Sequence, residues 1–257
     1  MKLFFLAVFM TVLSTSALAR MVERMPDQPG SVDTYVSDNG KYEVSIMYGK
    51  NFPSWSLKEN DQVLWSKPLM NEPGAAAISD NGEAITLPLW GWRDEGGSSG
   101  VAVYNIKGEL LREVHFNGEL PGTESLRWVH ETRISPDGKY FIIGENGKEC
   151  SYVTLFNART GEIVWGKKVG LPEMVQVKVS KDGKYALVTT NEYKDRRMEF
   201  QLLDSSGIEI WHKKMAHNFS YEVKHYVKFT DDGSGFQIYD LKSGKYISEK
   251  IPTVKVH

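Results

Sequence analysis

Cys150 is the single cysteine in 257 residues. A chain with one thiol forms no internal disulfide, so its stability must come from packing. We read Cys150 as a small residue leading into a strand, because nothing near it in sequence supplies the activation that a reactive thiolate needs. An excess of either charge is also missing, with 31 Lys and Arg against 33 Asp and Glu. The charges are interspersed and no basic run could neutralise several phosphates, which argues against a nucleic-acid partner. No sustained helical period runs between residue 20 and His257. Gly-x-Ser-x-Gly elbows, His-Glu-x-x-His pairs and phosphate loops are absent too. The histidines, His115, His130, His212, His217, His225 and His257, lack metal-ligand spacing, so neither metal nor cofactor is expected.

The one long apolar run is at the start. Lys2 supplies a short positive region, residues 3–13 are apolar, and Ala17-Leu18-Ala19 is a small-x-small cleavage site. The run is too short for a membrane-spanning helix, which takes about 20 residues. We therefore expect residues 1–19 to be a signal peptide and the protein to be exported, periplasmic or extracellular, without stable membrane insertion. Residues 20–30, with Pro26 and Pro29, read as a tether. Residues 31–257 then form the folded domain.

What the chain has in quantity is one polar turn. Ser37-Asp38-Asn39-Gly40, Ser79-Asp80-Asn81-Gly82, Ser135-Pro136-Asp137-Gly138, Ser180-Lys181-Asp182-Gly183 and Thr230-Asp231-Asp232-Gly233 recur with glycines 42, 56, 45 and 50 residues apart. Asn-Gly and Asp-Gly between apolar runs mark hairpins, since both central residues accept positive φ. A second turn follows within each unit, then a strand that often carries Trp, as in Asn157-Ala158-Arg159-Thr160-Gly161-Glu162-Ile163-Val164-Trp165 and Asp204-Ser205-Ser206-Gly207-Ile208-Glu209-Ile210-Trp211. In the first unit Asp61 takes the glycine position and Trp65 again follows four residues later.

Each unit thus reads as strand, glycine turn, strand, loop, strand, second turn, strand. Repeats of this length predict an all-β propeller of about five four-stranded blades. The two turns are 21 to 26 residues apart in units one to four but 11 apart in the fifth, Gly233 to Gly244. The last blade is accordingly short, or is closed by the N-terminal segment, and self-association through an incomplete blade stays open.

Ile134-Ser135-Pro136-Asp137-Gly138-Lys139-Tyr140 resembles the turn of TolB-type and WD-repeat-like propellers. Asn157 to Trp165 is similar to the repeat of pyrroloquinoline-quinone-type propellers. The resemblance spans residues 31 to about 251 and rests on turn and strand residues. It implies the fold and no chemistry. The quinone enzymes it touches are much longer, and the chain has no vicinal cysteine pair, so a quinone cofactor is not expected.

With four strands per blade, both glycine turns fall on one face, and the long loops and crossovers share the opposite face. Function concentrates in such loops. Trp90, Trp92 and Arg93 lead the candidates, as flat aromatics beside a guanidinium suit a sugar ring or a protein partner. Arg127, Trp128, His130, Arg196 and Arg197 join them. The expectation is a binding or scaffolding module for a protein or glycan, with packing inside a blade as the plain alternative for one Trp. The rival is a saccharide hydrolase. Asp33, Glu72, Glu131, Glu173 and Glu222 each fall near a channel entrance, and Asp33, Glu131 and Glu222 would be its acid and base.

Overall fold

The computed structural model describes residues 30–49, 53–69, 72–73, 75–90, 99–116, 128–146, 149–192, 194–216 and 226–252. The expected signal peptide and residues 20–29 of the expected tether lie outside them. Every element among the described residues is a strand. The first sheet runs β1 (Val32–Val36), β2 (Tyr42–Met47), β3 (Ser54–Glu59), β4 (Gln62–Pro68). In the second, β5 (Glu72–Pro73) and β6 (Ala77–Ile78) both pair with β7 (Ile85–Trp90), two halves of one inner strand, and β8 (Ser99–Tyr104) and β9 (Leu110–Phe116) follow.

The third sheet is β10 (Trp128–Ile134), β11 (Tyr140–Asn146), β12 (Ser151–Asn157) and β13 (Ile163–Val169). The fourth is β14 (Glu173–Val179), β15 (Ala186–Glu192), β16 (Arg197–Leu203) and β17 (Glu209–Met215). The fifth holds three described strands, β18 (Val227–Phe229), β19 (Gly235–Asp240) and β20 (Lys245–Lys250). Apart from β5 and β6, which both pair with β7, each strand of a sheet pairs antiparallel with the next in sequence, and the first strand of each sheet faces its counterparts in neighbouring sheets.

The turn motif explains its own spelling. The Ser135 hydroxyl donates to Asp137 at 2.7 Å and accepts from the Tyr140 N–H at 3.0 Å, while Asp137 accepts from the Lys139 N–H at 3.2 Å. Ser180, Asp182 and Tyr185 repeat this, and Ser37, Asn39 and Tyr42 do so with an amide. Partial burial alone would push the Asp137 and Asp182 carboxyls up. The hydroxyl, backbone and lysine donors outweigh it and hold both below the usual range. Asp232, fully exposed and bonded by the Thr230 hydroxyl and Ser234, is pulled down to about 2.

The core lies between sheets rather than at one centre. Tyr42, Val44, Trp55 and Leu57 meet Ile85 and Leu87; Val101 and Val103 meet Phe141, Ile143 and Phe156; Ile142 and Leu155 meet Val177 and Val188; Leu187 and Phe200 meet Val227, Phe236 and Ile238. β11 and β15 are buried nearly throughout, as strands covered on both faces must be; each opens on an apolar run and ends on buried polar residues.

Neighbouring sheets interlock through the glycine turns. A Cβ on Gly183 would stand 2.2 Å from the Tyr140 ring, and one on Gly207 would stand 3.0 Å from the Trp165 ring. Both glycines have φ near +70°. Trp65 grips the second turn of sheet two in the same way, donating its indole N–H to the Ile106 carbonyl at 2.6 Å, and Arg112 takes the Trp place against Gly161. Two residues after each Trp, Lys67 and Lys167 donate to the same turns, at Lys107 and Gly207. The recurring Trp is therefore a clamp on the next sheet. Asn60 and Asp61 do adopt positive φ, 46° and 66°, as their position in the first unit requires.

One expectation is corrected. The second glycine turn of the fifth sheet, at Gly244, joins β19 to β20 and so lies at the loop-rich end. Only one strand separates it from the Gly233 turn, whereas two strands and a loop separate the paired turns elsewhere, and successive turns alternate ends. Trp211 finds no second turn to clamp there; it packs edge-on against Phe236 at 4.8 Å, and Lys213 pairs with Glu249 at 3.3 Å.

Two outcomes are expected. Gly183→Ala and Gly40→Ala share the same backbone strain, of order 1 kcal/mol, but only Gly183 faces a ring, since nothing lies within 4 Å of a Cβ on Gly40. Urea melts should show the larger loss for Gly183→Ala. The depressed carboxyls stabilise the fold above their unfolded pKa and stop doing so as pH falls through the folded values. Stability should hold from pH 7 to about 4, decline below that, and decline less steeply in Asp137→Asn/Asp182→Asn, measured by denaturation at each pH.

Candidate functional site

An inner strand has a partner strand on one edge only, so its channel-side N–H groups need other acceptors. Side chains of the preceding sheet supply them. Glu131, buried at a bulge in β10, accepts from the Val177 N–H of β14 at 2.5 Å. Gln176, buried at the matching bulge in β14, accepts from the Tyr226 and Val227 N–H groups at 2.8 and 3.0 Å. Asn146, at the end of β11, accepts from the Met174 N–H at 2.7 Å. Glu131 and Gln176 are 45 residues apart, the separation of Gly138 and Gly183, and so occupy one repeat position.

Charge gathers beside these struts. Arg133 pairs with the other Glu131 oxygen, and Lys178 reaches Asp38 in the first sheet at 3.3 Å. Burial lowers the Lys178 pKa and the Arg133 guanidinium lowers it further, with Asp38 and Glu131 opposing. This contact bridges 140 residues and carries the fourth inner strand to a turn of the first sheet.

Asn191 is the repeat equivalent of Asn146, 45 residues on, and is fully buried. Its amide nitrogen donates to Glu173 at 3.4 Å, but among the described residues its oxygen has no hydrogen-bond partner, and neither does the buried Thr189 hydroxyl. Glu173 pairs in register with Asn191, and Gln176 with Thr189. These four residues form a polar patch toward the loop-rich end of the sheet, on the side where Leu187 packs against Tyr226 and Val227.

The sequence candidates divide. The backbone places Trp90 at the end of β7 and Trp128 and His130 at the start of β10, all at the loop-rich end. Trp92, Arg93, Arg127 and Glu222 lie outside the described residues. Arg196 sits in the β15–β16 turn with φ 50°, and Arg197, half-exposed, pairs with Glu192 and Asp195. Asn191 and Glu192 belong to β15. Cys150 is partly exposed and precedes β12.

Two of the hydrolase carboxylates have structural partners. Glu131 is a strut with both oxygens engaged, and Asp33 accepts from the Tyr48 hydroxyl at 2.9 Å. Among the described residues no group of three or more His, Cys, Asp and Glu could hold a metal ion. Gln176 and Asn191 escaped the sequence reading, which sought acids. Aligning the units on their glycines would have paired them with Glu131 and Asn146.

No protein-family model and no curated protein matches the chain. Solved structures do. A eukaryotic initiation factor superposes with TM-score 0.52 at 10% identity, covering 74% of this chain and 44% of that one. TolB from Acinetobacter baumannii gives TM-score 0.48 at 14% identity, covering 81% and 48%. The chain therefore spans less than half the length of either. Such low identity speaks to fold alone, and the successive antiparallel sheets define a propeller-like all-β protein.

If Glu131 is a strut, an amide should serve almost as well, as Gln176 does at the next repeat. Glu131→Ala should cost about 2–4 kcal/mol by stranding the Val177 N–H and Arg133, and Glu131→Gln clearly less, read from chemical denaturation.

Proposed function

We propose that the protein is an exported five-bladed propeller that binds a protein or glycan at its loop-rich end, as a recognition or scaffolding module. The observation that carries the reading is the pair of buried acceptors without partners among the described residues, Asn191 Oδ1 and Thr189 Oγ1, at that end of the fourth sheet. Buried polar atoms are almost always satisfied, and a ligand rich in donors is one partner that suits this pair beside a carboxylate. Saccharide hydroxyls and backbone amides both qualify. Trp90, Trp92, Arg93, Arg127, Trp128, His130, Arg196 and Arg197 would frame the approach by stacking and charge. Export rests on Lys2, the apolar residues 3–13 and the Ala17-Leu18-Ala19 site.

Thr189→Val separates binding from folding. Replacing an unsatisfied hydroxyl with a methyl should leave the free protein as stable or raise it by up to about 1 kcal/mol, while weakening capture on a glycan array or in cross-linked envelope fractions. Trp92→Ala/Arg93→Ala should abolish capture with little change in melting temperature. Loss of stability in either variant, with capture intact, contradicts the reading.

A further inference from the structure

The fifth sheet ends one strand early. β20 is the third strand of its sheet, and among the described residues it pairs with β19 alone. In the other four sheets the third strand, β3, β8, β12 or β16, is paired on both edges. Burial follows the pairing. Six of the seven residues of β16 are buried, whereas none of β20 is, and Tyr246 is 38% exposed.

The free edge of β20 is regular. In the other sheets the pairing that adds the outer strand is broken by a register shift, between Leu57 and Lys58, Val103 and Tyr104, Leu155 and Phe156, and Leu202 and Leu203. Such bulges blunt an edge against strand addition. β20 pairs with β19 through six consecutive residues without a shift, from Gly235 opposite Lys250 to Asp240 opposite Lys245. A regular strand with an open row of N–H and C=O groups is a template for one more strand.

The chain itself can supply it. β20 runs from the Gly244 turn at the loop-rich end to Lys250 at the glycine-turn end, so an antiparallel neighbour would finish at the loop-rich end. β1 starts at that end, where the Gly30 N–H donates to the Tyr48 carbonyl at 2.8 Å. Outer strands of this array pass to the next inner strand there, through three residues between β4 and β5 and between β13 and β14. Eleven residues serve between β9 and β10 and between β17 and β18.

Twelve residues, 20–31, separate the expected cleavage site from Val32. Six match the length of β20, and the other six make a crossover within that range, with a reach of about 20 Å. The prolines fall in the crossover half. Pro26 and Pro29 lie there, as Pro172 lies between β13 and β14, and residues 20–25 contain neither Pro nor Gly. A second copy suits the edge less well. Two β20 strands paired antiparallel in full register would set Lys245 of each opposite Lys250 of the other, and like charges placed opposite destabilise a pair.

We propose that residues 20–25 of the same chain add to β20 as the fourth strand of the fifth sheet and join the last sheet to the first. Closure removes the one regular open edge and leaves recognition to the loop-rich end. It rests on the strand pattern and the expected cleavage after Ala19, and stands independently of the ligand proposed at that end.

Disulfide trapping tests this on the exported protein in a Cys150→Ser background. Residues directly opposite in an antiparallel pair lie about 4.5–5.5 Å apart at Cα, within disulfide reach. Val22→Cys should close an intrachain disulfide with one of Tyr246→Cys, Ile247→Cys and Ser248→Cys, and none with the exposed Leu111→Cys of the second sheet, read by peptide mapping without reduction. Hydrogen exchange decides the matter if the cysteines disturb folding. In the unaltered protein every amide from Tyr246 to Glu249 should be protected, and deleting residues 20–25 should speed alternate ones at least about 100-fold. Disulfides that link only separate chains, trapping no better than with Leu111→Cys, free exchange at alternate β20 amides in the unaltered protein, or unchanged exchange after the deletion would each overturn the proposal.

Discussion

The structure depends on an edge that has no neighbour. Each sheet begins with a strand that pairs on one side and faces the channel on the other, and a buried N–H without an acceptor costs as much as a lost hydrogen bond. Glu131, Asn146 and Gln176 meet that need from the sheet before. The position of Glu131 and Gln176 at bulges follows, since a bulge re-aims a side chain that would otherwise point into the sheet interface. Polar residues in the middle of an apolar array are thus what joins one sheet to the next.

The outer strands solve the same problem with different chemistry. Trp65 and Trp165, each followed two residues later by Lys, close over the glycine turn of the next sheet, which must lack a Cβ to receive the ring. Inner struts, the interface core and outer clamps act at three radii. At the fifth sheet the strut and the core persist, with Gln176 accepting from Tyr226 and Val227, while Trp211 turns to Phe236 and the Gly244 turn moves to the other end. At the far end of the array, Val32 and Val36 of β1 remain about half exposed, so this face of the first sheet is not covered as those of β11 and β15 are.

Much of this was legible in the glycines. Their spacing predicted the sheets, and the place of Asp61 its positive φ. The 11-residue gap between Gly233 and Gly244 predicted the short fifth sheet but not the end on which its second turn lies, which follows from strand parity. Glu131 was named from sequence as a channel carboxylate, and in the fold it meets the Val177 N–H and Arg133. An acid near a channel reads the same in sequence whether it meets a substrate or the Val177 N–H, because the partner comes from another sheet. The Trp clamps were visible as a repeat and opaque in purpose for the same reason. Bulges leave no mark in a single strand, so the struts could not be assigned from composition or period.

Native-state hydrogen exchange tests the central claim most directly. The amides of Met174, Val177, Tyr226 and Val227 are held by side chains of the preceding sheet. The account predicts that they exchange only through global unfolding, with protection matching that of Leu187 and Val188 in the buried β15, and that Glu131→Ala exposes Val177 selectively. Rapid exchange at these four amides in the wild-type protein, while β15 stays protected, would contradict it.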